Sequence, residues 1–124
     1  MGEVRLEVPA SPEFFRITRI MVAGVASRVG FTLDEVEDLR IAIDELCFAL
    51  VGRAGRPGTL TVHYAIDDGG LSVRGIAQFA DGAGSTPVLS PLSEQILSAV
   101  VDECEVSGGA DGPSFRMVKR LQAG

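Results

Sequence analysis

The sequence predicts a two-layer α+β sandwich, in which three helices lie on one face of a mixed, mostly antiparallel sheet of about five strands. Three observations support this fold class. The 124 residues suffice for a single domain, 1–124, with one hydrophobic core but not two. Apolar residues recur at helical or alternating spacing in the order strand, two helices, two strands, helix, two strands. A hydrophobic content of 46% with 23% charged residues is typical of a soluble globular domain.

Composition argues against several classes of function. The net charge of −6 and the isoelectric point near 4.7 disfavour nucleic acid as the main ligand. Cys47 and Cys104 lack metal-ligand spacing and His63 is the sole histidine, so we expect no metal site and two reduced core cysteines. The apolar runs are too short to span a membrane, and the N-terminus lacks the apolar core of a signal peptide, which predicts a cytosolic protein.

The longest predicted helix spans Leu33–Arg53, and the rest of the chain is organised around it. Thr32 and Glu35 have the spacing of a capping box, which satisfies two backbone amides of the first turn. Residues at helical spacing form one apolar face: Val36, Leu39, Ile43, Cys47 and Leu50. A neighbouring face carries Glu45 together with Ala42, Ala49 and Arg53. Periodicity leaves open whether Glu45 is a helix carboxylate paired with a neighbour or a functional acid.

Local signals define the first strand and the first helix. A strand over Arg5–Val8 precedes a helix that begins at Pro12, because a capping serine followed by proline is typical of a first turn. The helix runs to about Val29 and ends at Gly30, which we expect in a left-handed conformation. Its core-facing residues are expected to be Phe14, Ile17, Met21, Gly24 and Val25.

The second half of the chain alternates between strands and one further helix. Four strands are predicted, at Thr59–Ile66, Leu71–Phe79, Glu103–Ser107 and Ser114–Leu121. Ser90 and Pro91 begin a helix over Leu92–Val101. Its inward residues are expected to be Leu92, Ile96, Ala99 and Val100.

Three segments together resemble the anti-sigma-factor serine kinases, small members of the histidine-kinase-like (GHKL) ATPase superfamily. They are Arg5–Phe31, Leu39–Ala54 with its Ala-x-x-Glu-x-Cys pattern, and Leu97–Leu121 with its Val-Asp-Glu-x-Glu and Met-x-Lys-Arg patterns. The resemblance covers nearly the whole chain and implies the Bergerat, or histidine-kinase-like ATPase, fold. It further implies a cytoplasmic regulator of transcription, of the kind used in stress responses, that sequesters an alternative sigma factor. Active members also phosphorylate a serine on an anti-anti-sigma (STAS-type) protein, using ATP and magnesium.

The chain departs from the family where magnesium is held. In the family the central helix carries Glu-x-x-x-Asn, followed four residues later by a histidine. Here the resemblance places Glu45 at the acid that handles the substrate hydroxyl proton, Ala49 at the magnesium-binding asparagine and Arg53 at the histidine. Alanine has no oxygen to offer a cation that requires near-ideal octahedral coordination. Glu45 is therefore expected to be a vestige of the catalytic acid.

The other two nucleotide motifs are also altered. The aspartate that recognises adenine aligns with Ala77, although the nearby Asp81-Gly82-Ala83-Gly84, four residues later, is a possible shifted version. The family's Gly-x-Gly-Leu motif, whose backbone amides bind phosphate, is missing at the corresponding position, which holds Pro91 and Leu92. Proline has no amide hydrogen and so removes one of the donors. The resemblance with these losses implies a scaffold without ordinary magnesium-ATP binding or kinase action, for which no cofactor is expected.

Several functions remain open at this stage. The leading hypothesis is an anti-sigma factor-like protein, with Arg16 at the family's partner-contacting arginine and Arg19 on the same polar flank. The resemblance also implies a homodimer formed through the sheets. The alternative is an active but divergent serine kinase that uses Glu45 with ATP and magnesium. A small-ligand module that reuses the vacated pocket, or a redox sensor at Cys47 or Cys104, has no positive signal in the sequence.

Overall fold

A five-stranded antiparallel sheet and three α-helices make up the computed structural model, which describes residues 2–67, 69–82 and 86–122. The helices are α1 (Phe15–Val29), α2 (Leu33–Val51) and α3 (Pro91–Val100), and a short 3-10 helix at Pro12–Phe14 precedes α1. The strands are β1 (Gly2–Pro9), β2 (Gly58–Asp67), β3 (Gly70–Phe79), β4 (Glu103–Ser107) and β5 (Ser114–Arg120). Among the described residues, no helix is long and apolar enough to cross a membrane.

The strands are ordered β1-β2-β3-β5-β4, and every neighbouring pair is antiparallel. α3 carries the chain from β3 to the edge strand β4, and β5 then returns to fill the place between them. Alternate side chains of β2, Leu60, Val62 and Tyr64, are fully buried against the helices. The Tyr64 hydroxyl donates to the Thr18 carbonyl of α1 at 3.2 Å, which fastens the helix layer to the sheet. The predicted α+β fold class is confirmed.

The start of α2 agrees with its sequence signal, and its end does not. Thr32 accepts a hydrogen bond from the Glu35 amide at 3.2 Å, and Glu35 accepts one from the Thr32 amide at 2.8 Å, so the capping box is present. The five residues of the predicted apolar face are all buried. The helix ends at Val51 because Gly52 adopts a positive φ of 83°, so the prediction that Arg53 belongs to the helix is wrong.

α1 buries a face that overlaps the predicted one only in part, since Val25 is buried and Phe14 and Met21 are half-buried against the core. Gly30 ends the helix at a φ of 104°, as expected. The buried residues, however, are Phe15, Thr18, Val22, Val25 and Ala26, and only Val25 was expected. Apolar side chains lie all around this helix, so periodicity could not select the face. Thr18 is tolerated in the core because its hydroxyl donates to the Phe15 carbonyl at 2.6 Å.

α3 is attached less closely than predicted. Leu97 is its buried residue, whereas Leu92 is 66% exposed and Ala99 is also exposed. Ile96 and Val100 are half-buried. The expected inward set is therefore wrong for Leu92 and Ala99, because this short helix rests on the rest of the fold along a narrow strip centred on Leu97.

Candidate functional site

A cavity of about 490 Å³ lies between the C-terminal half of α2 and the first turn of α3. Glu45 and Ala49 of α2, Arg53 just beyond it and Leu92 of α3 all line this cavity. Four of the residues singled out from the sequence are thus brought together. Phe48, Val88, Ser90 and Ser93 complete much of the wall.

Glu45 is held by a chain of hydroxyl groups from the start of α3. The Ser93 hydroxyl donates to Glu45 Oε1 at 3.0 Å, and the Ser90 hydroxyl donates to the Ser93 hydroxyl at 3.0 Å. Ser90 is also the N-cap of α3, because its side chain accepts from the Ser93 amide. The contact joins residues 48 positions apart, and Ser93 therefore could not be assigned to this site from local spacing.

Two of the expected nucleotide-pocket residues do not line the cavity. Ala77 is fully buried in β3, where its amide donates to the Pro113 carbonyl at 3.0 Å. Pro91 occupies the first position of α3, and its exposed side chain is not part of the cavity wall.

The alternative adenine motif at residues 81–84 is described only in part. The Asp81 carboxylate accepts two hydrogen bonds from Arg56, at 3.0 and 3.1 Å. The same guanidinium lies 3.7 Å from the centre of the Phe79 ring. Ala83 and Gly84 lie outside the described residues. The Asp81 side chain is thus held in an ion pair with Arg56.

The cavity wall is mainly apolar and carries one acid and one base. Phe48 is 37% exposed, Leu92 is 66% exposed and Val88 is 81% exposed. Glu45 is the only acidic side chain among the described residues of this wall, and Arg53 is the only basic one. No group of three or more histidine, cysteine, aspartate or glutamate side chains suited to a metal ion occurs in the described residues. Neither Phe48 nor Val88 stood out in the sequence, since exposure of an apolar side chain has no local signature.

The two arginines of α1 differ in their environment. Arg19 donates to both carboxylate oxygens of Asp44 in α2, at 2.8 and 3.1 Å, and therefore links the two helices. Arg16 is exposed, and within the described part of the chain no hydrogen bond or ion pair holds its side chain. Ile17 and Ile20 beside it are 41% and 63% exposed. α1 thus presents a mixed apolar and cationic surface to solvent.

Neither cysteine is placed as a reactive thiol. Cys47 of α2 is fully buried, and burial raises the pKa of its thiol to about 12. Burial also raises the pKa of the half-buried Cys104 thiol. Since the thiolate is the reactive form, a raised pKa makes both groups poor nucleophiles at neutral pH.

The chain is similar to bacterial proteins named serine-protein kinase RsbW. It is 38% identical over 73 residues to the one from Bacillus subtilis (strain 168), a match that covers 56% of this chain and 46% of the relative. It is 35% identical over 75 residues to the Bacillus pumilus protein, with the same coverage. The Listeria monocytogenes serotype 4a protein is 37% identical over 75 residues, covering 58% and 48%.

These matches span about half the length of the relatives. No family model matches the chain. The resemblance to the anti-sigma-factor serine kinases is confirmed over the matched 56–58% of the chain, which is there similar in sequence to the serine-protein kinases RsbW.

Proposed function

We propose that this protein is an anti-sigma factor-like regulator that binds and sequesters an alternative sigma factor without magnesium-ATP binding or kinase activity. The observation that carries the proposal is the wall of the α2–α3 cavity. At the three positions where the family resemblance expects a metal ligand, a histidine and a phosphate cradle, the wall has Ala49, Arg53 and Leu92.

The residues of the cavity do not fit a magnesium–nucleotide complex. Magnesium takes six oxygen ligands in near-ideal octahedral geometry, usually from one or two carboxylates, phosphates and water. Ala49 supplies no side-chain oxygen, and Glu45 is the one carboxylate among the described residues that line the cavity. Arg53 can attract a phosphate, but without the metal the charge on a transferring phosphoryl group loses a principal stabiliser.

Sequestration of a partner requires a binding surface and no catalysed reaction. The outward side of α1 offers one, because the exposed Ile17 and Ile20 lie beside Arg16, which pairs with none of the residues that the structure describes. Apolar and arginine side chains at the centre of an interface commonly supply most of its binding energy. Arg19 contributes indirectly in this proposal, because its ion pair with Asp44 fixes α1 against α2.

Complex formation with sigma factors tests the proposal. The purified protein is mixed, without nucleotide, with each alternative sigma factor of the same genome, and complexes are measured by size-exclusion chromatography and calorimetry. We expect one stable complex, which Ile20→Asp weakens at least about tenfold because it places a charge at the centre of an apolar contact. Arg28→Ala, an exposed arginine in the last turn of the same helix, is the matched control. Absence of any complex, or equal binding by Ile20→Asp, would contradict the proposal.

The remaining partners rest on the resemblance alone. We include an anti-anti-sigma (STAS-type) protein as the antagonist that releases the sigma factor, a cytosolic location, and a homodimer. Light scattering at several protein concentrations tests for the dimer. We expect a mass twice the 13.0 kDa of one chain. A mass of one chain at all concentrations would remove the homodimer from the proposal.

A second candidate function is an active, divergent serine kinase. The observation that favours it is the Glu45 carboxylate, which lies 3.0 Å from a serine hydroxyl oxygen and is thus placed to accept a hydroxyl proton. Calorimetry with magnesium-ATP at high micromolar concentration separates the two candidates. Binding heat, followed by phosphate transfer to a STAS-type protein that Glu45→Gln abolishes, would establish the kinase. Absence of heat would exclude it.

A further inference from the structure

Exposed apolar side chains are concentrated around the α2–α3 cavity. Seven large hydrophobic residues are exposed among those that the structure describes, and three of them, Phe48, Val88 and Leu92, line this one cavity. Single exposed hydrophobic residues are ordinary, whereas several around one concavity mark a site that a ligand or partner covers. The half-buried Ile96 extends the same apolar wall.

Arg53 and Glu45 are the charged side chains among the described residues of this wall. Glu45, the one acid among the described lining residues, is engaged by the Ser93 hydroxyl at 3.0 Å. Arg53 is exposed, and no hydrogen bond or ion pair within the described residues holds its guanidinium. Arg53 is therefore the group on this wall that can bind an anionic head group, while the apolar residues contact the chain attached to it.

We propose that the cavity binds a small amphipathic anion, namely an aliphatic carboxylate whose chain packs on Phe48, Val88 and Leu92 and whose carboxylate pairs with Arg53. The cavity volume of about 490 Å³ falls in the range of small-molecule sites, roughly 300–1,000 Å³. Ala49 and the adjacent Gly52 carry little or no side chain and so leave room for the ligand. This inference depends on one part of the proposed function, namely that the cavity does not bind a magnesium–nucleotide complex.

Calorimetric titration with octanoate and 1-octanol tests the inference, because these probes share their chain length and differ in charge. We expect octanoate to bind the wild-type protein with a submillimolar dissociation constant and 1-octanol to bind about tenfold more weakly, since only the carboxylate forms a charge-assisted hydrogen bond. Arg53→Gln should lower the octanoate affinity about tenfold and leave the 1-octanol affinity unchanged. Leu92→Ala should weaken both probes, because it removes shared apolar contact.

Two matched variants control for non-specific effects. Arg28→Gln removes another exposed arginine, and Leu33→Ala removes another exposed apolar side chain, both outside the cavity. Neither should change the affinity for either probe. Absence of octanoate binding, or an unchanged octanoate affinity in Arg53→Gln or Leu92→Ala, would overturn the inference.

The sigma-factor experiment separates this inference from the proposed function. Capture of a sigma factor by a protein that does not bind octanoate would overturn the ligand site alone. Octanoate binding that responds to Arg53→Gln, in a protein that captures no sigma factor, would overturn the proposed function alone.

Discussion

The helix layer has two junctions that differ greatly in packing. At the α1–α2 junction, Phe15 is fully buried and its ring packs edge-to-face on Phe48, with ring centres 5.0 Å apart. Arg19 and Asp44 add an ion pair across the same junction. At the α2–α3 junction, α3 buries Leu97, and Ser93 and Glu45 form a single side-chain hydrogen bond beside the 490 Å³ cavity.

The difference separates the supporting part of the fold from the part available for binding. Apolar groups that remain exposed around a cavity do not contribute the stabilisation that their burial would give. Binding sites commonly lie in such weakly packed regions. Both proposed binding surfaces fit this division, since Arg16 and Ile20 lie outside the packed junction and Arg53 and Leu92 lie at the loose one. The comparison predicts that substitutions at the α1–α2 junction destabilise the fold more than substitutions at the α2–α3 junction.

The largest expected effect is at the packed junction. Phe15→Ala should destabilise the fold by about 3–5 kcal/mol, because it removes a fully buried aromatic ring and leaves a cavity. Urea unfolding followed by circular dichroism measures the change. A cost below about 1 kcal/mol, typical of a surface substitution, would mean that the junction is not packed as described.

Leu97→Ala should cost less, about 2–3 kcal/mol, at the lower end for a buried leucine. The neighbouring α3 side chains are partly exposed and can relax into the space. The same urea experiment provides the comparison. If Leu97→Ala destabilised the protein as much as Phe15→Ala, the two junctions would be equally important and the contrast between them would be wrong.

The buried thiol predicts a loss of stability at alkaline pH. Burial raises the Cys47 pKa to about 12, above the ordinary value of 9.0, so the folded protein retains a proton that the unfolded chain loses. The stabilisation is therefore complete below pH 9.0 and is lost as the pH rises toward about 12. The slope approaches about 1.4 kcal/mol per pH unit for one proton.

Urea unfolding between pH 9 and 10 best separates this contribution from that of Tyr64. Burial also raises the Tyr64 pKa above 10.0, so the titration of this residue in the unfolded chain steepens the slope mainly above pH 10. The measurement uses a Cys104→Ala background, because the Cys104 pKa is raised as well. Cys47→Ala in that background should flatten the slope. An unchanged slope would show that Cys47 does not titrate on unfolding.

The smallest effect is expected at the hydrogen bond between the loosely packed helices. Ser93→Ala should lower the free energy of unfolding by about 1 kcal/mol or less, because the bond is only partly buried. Hydrogen exchange is the sensitive measurement, and α3 amides should exchange faster while α1 amides are unchanged. Ser98→Ala is the control, since its hydroxyl bonds to the Gln95 carbonyl within α3. Equal exchange in both variants would show that Ser93 does not fasten α3.

Features determined by neighbouring residues could be predicted from the sequence. The Thr32–Glu35 capping box and the left-handed Gly30 are present as expected, because each depends on backbone geometry within one turn. Strand positions were also predictable, although β1 extends over Gly2–Pro9 because it pairs with β2 along its whole length. These elements together suffice for the fold class.

Features determined by distant contacts could not be predicted. The buried face of α1 was predicted only in part, because apolar residues such as Ile17 and Ile20 also lie on the outer side of the helix. The pairing of Glu45 with Ser93 depends on the docking of α3, and the extent of the cavity depends on side chains such as Val88 that have no distinguishing local pattern. Glu45, Ala49, Arg53 and Leu92, which the family resemblance assigns to one nucleotide site, line the same cavity, whereas Ala77 and Pro91 do not.

The most direct test of the central claim is a thermal-shift titration with ATP and ADP, each with and without magnesium. A ligand at about a hundred times its dissociation constant stabilises a fold by about 2.7 kcal/mol, which is easily detected. We expect no magnesium-dependent shift, because Ala49 offers no metal ligand at the position where the family resemblance expects one. A clear magnesium-dependent shift would contradict the account and establish the cavity as a working nucleotide site.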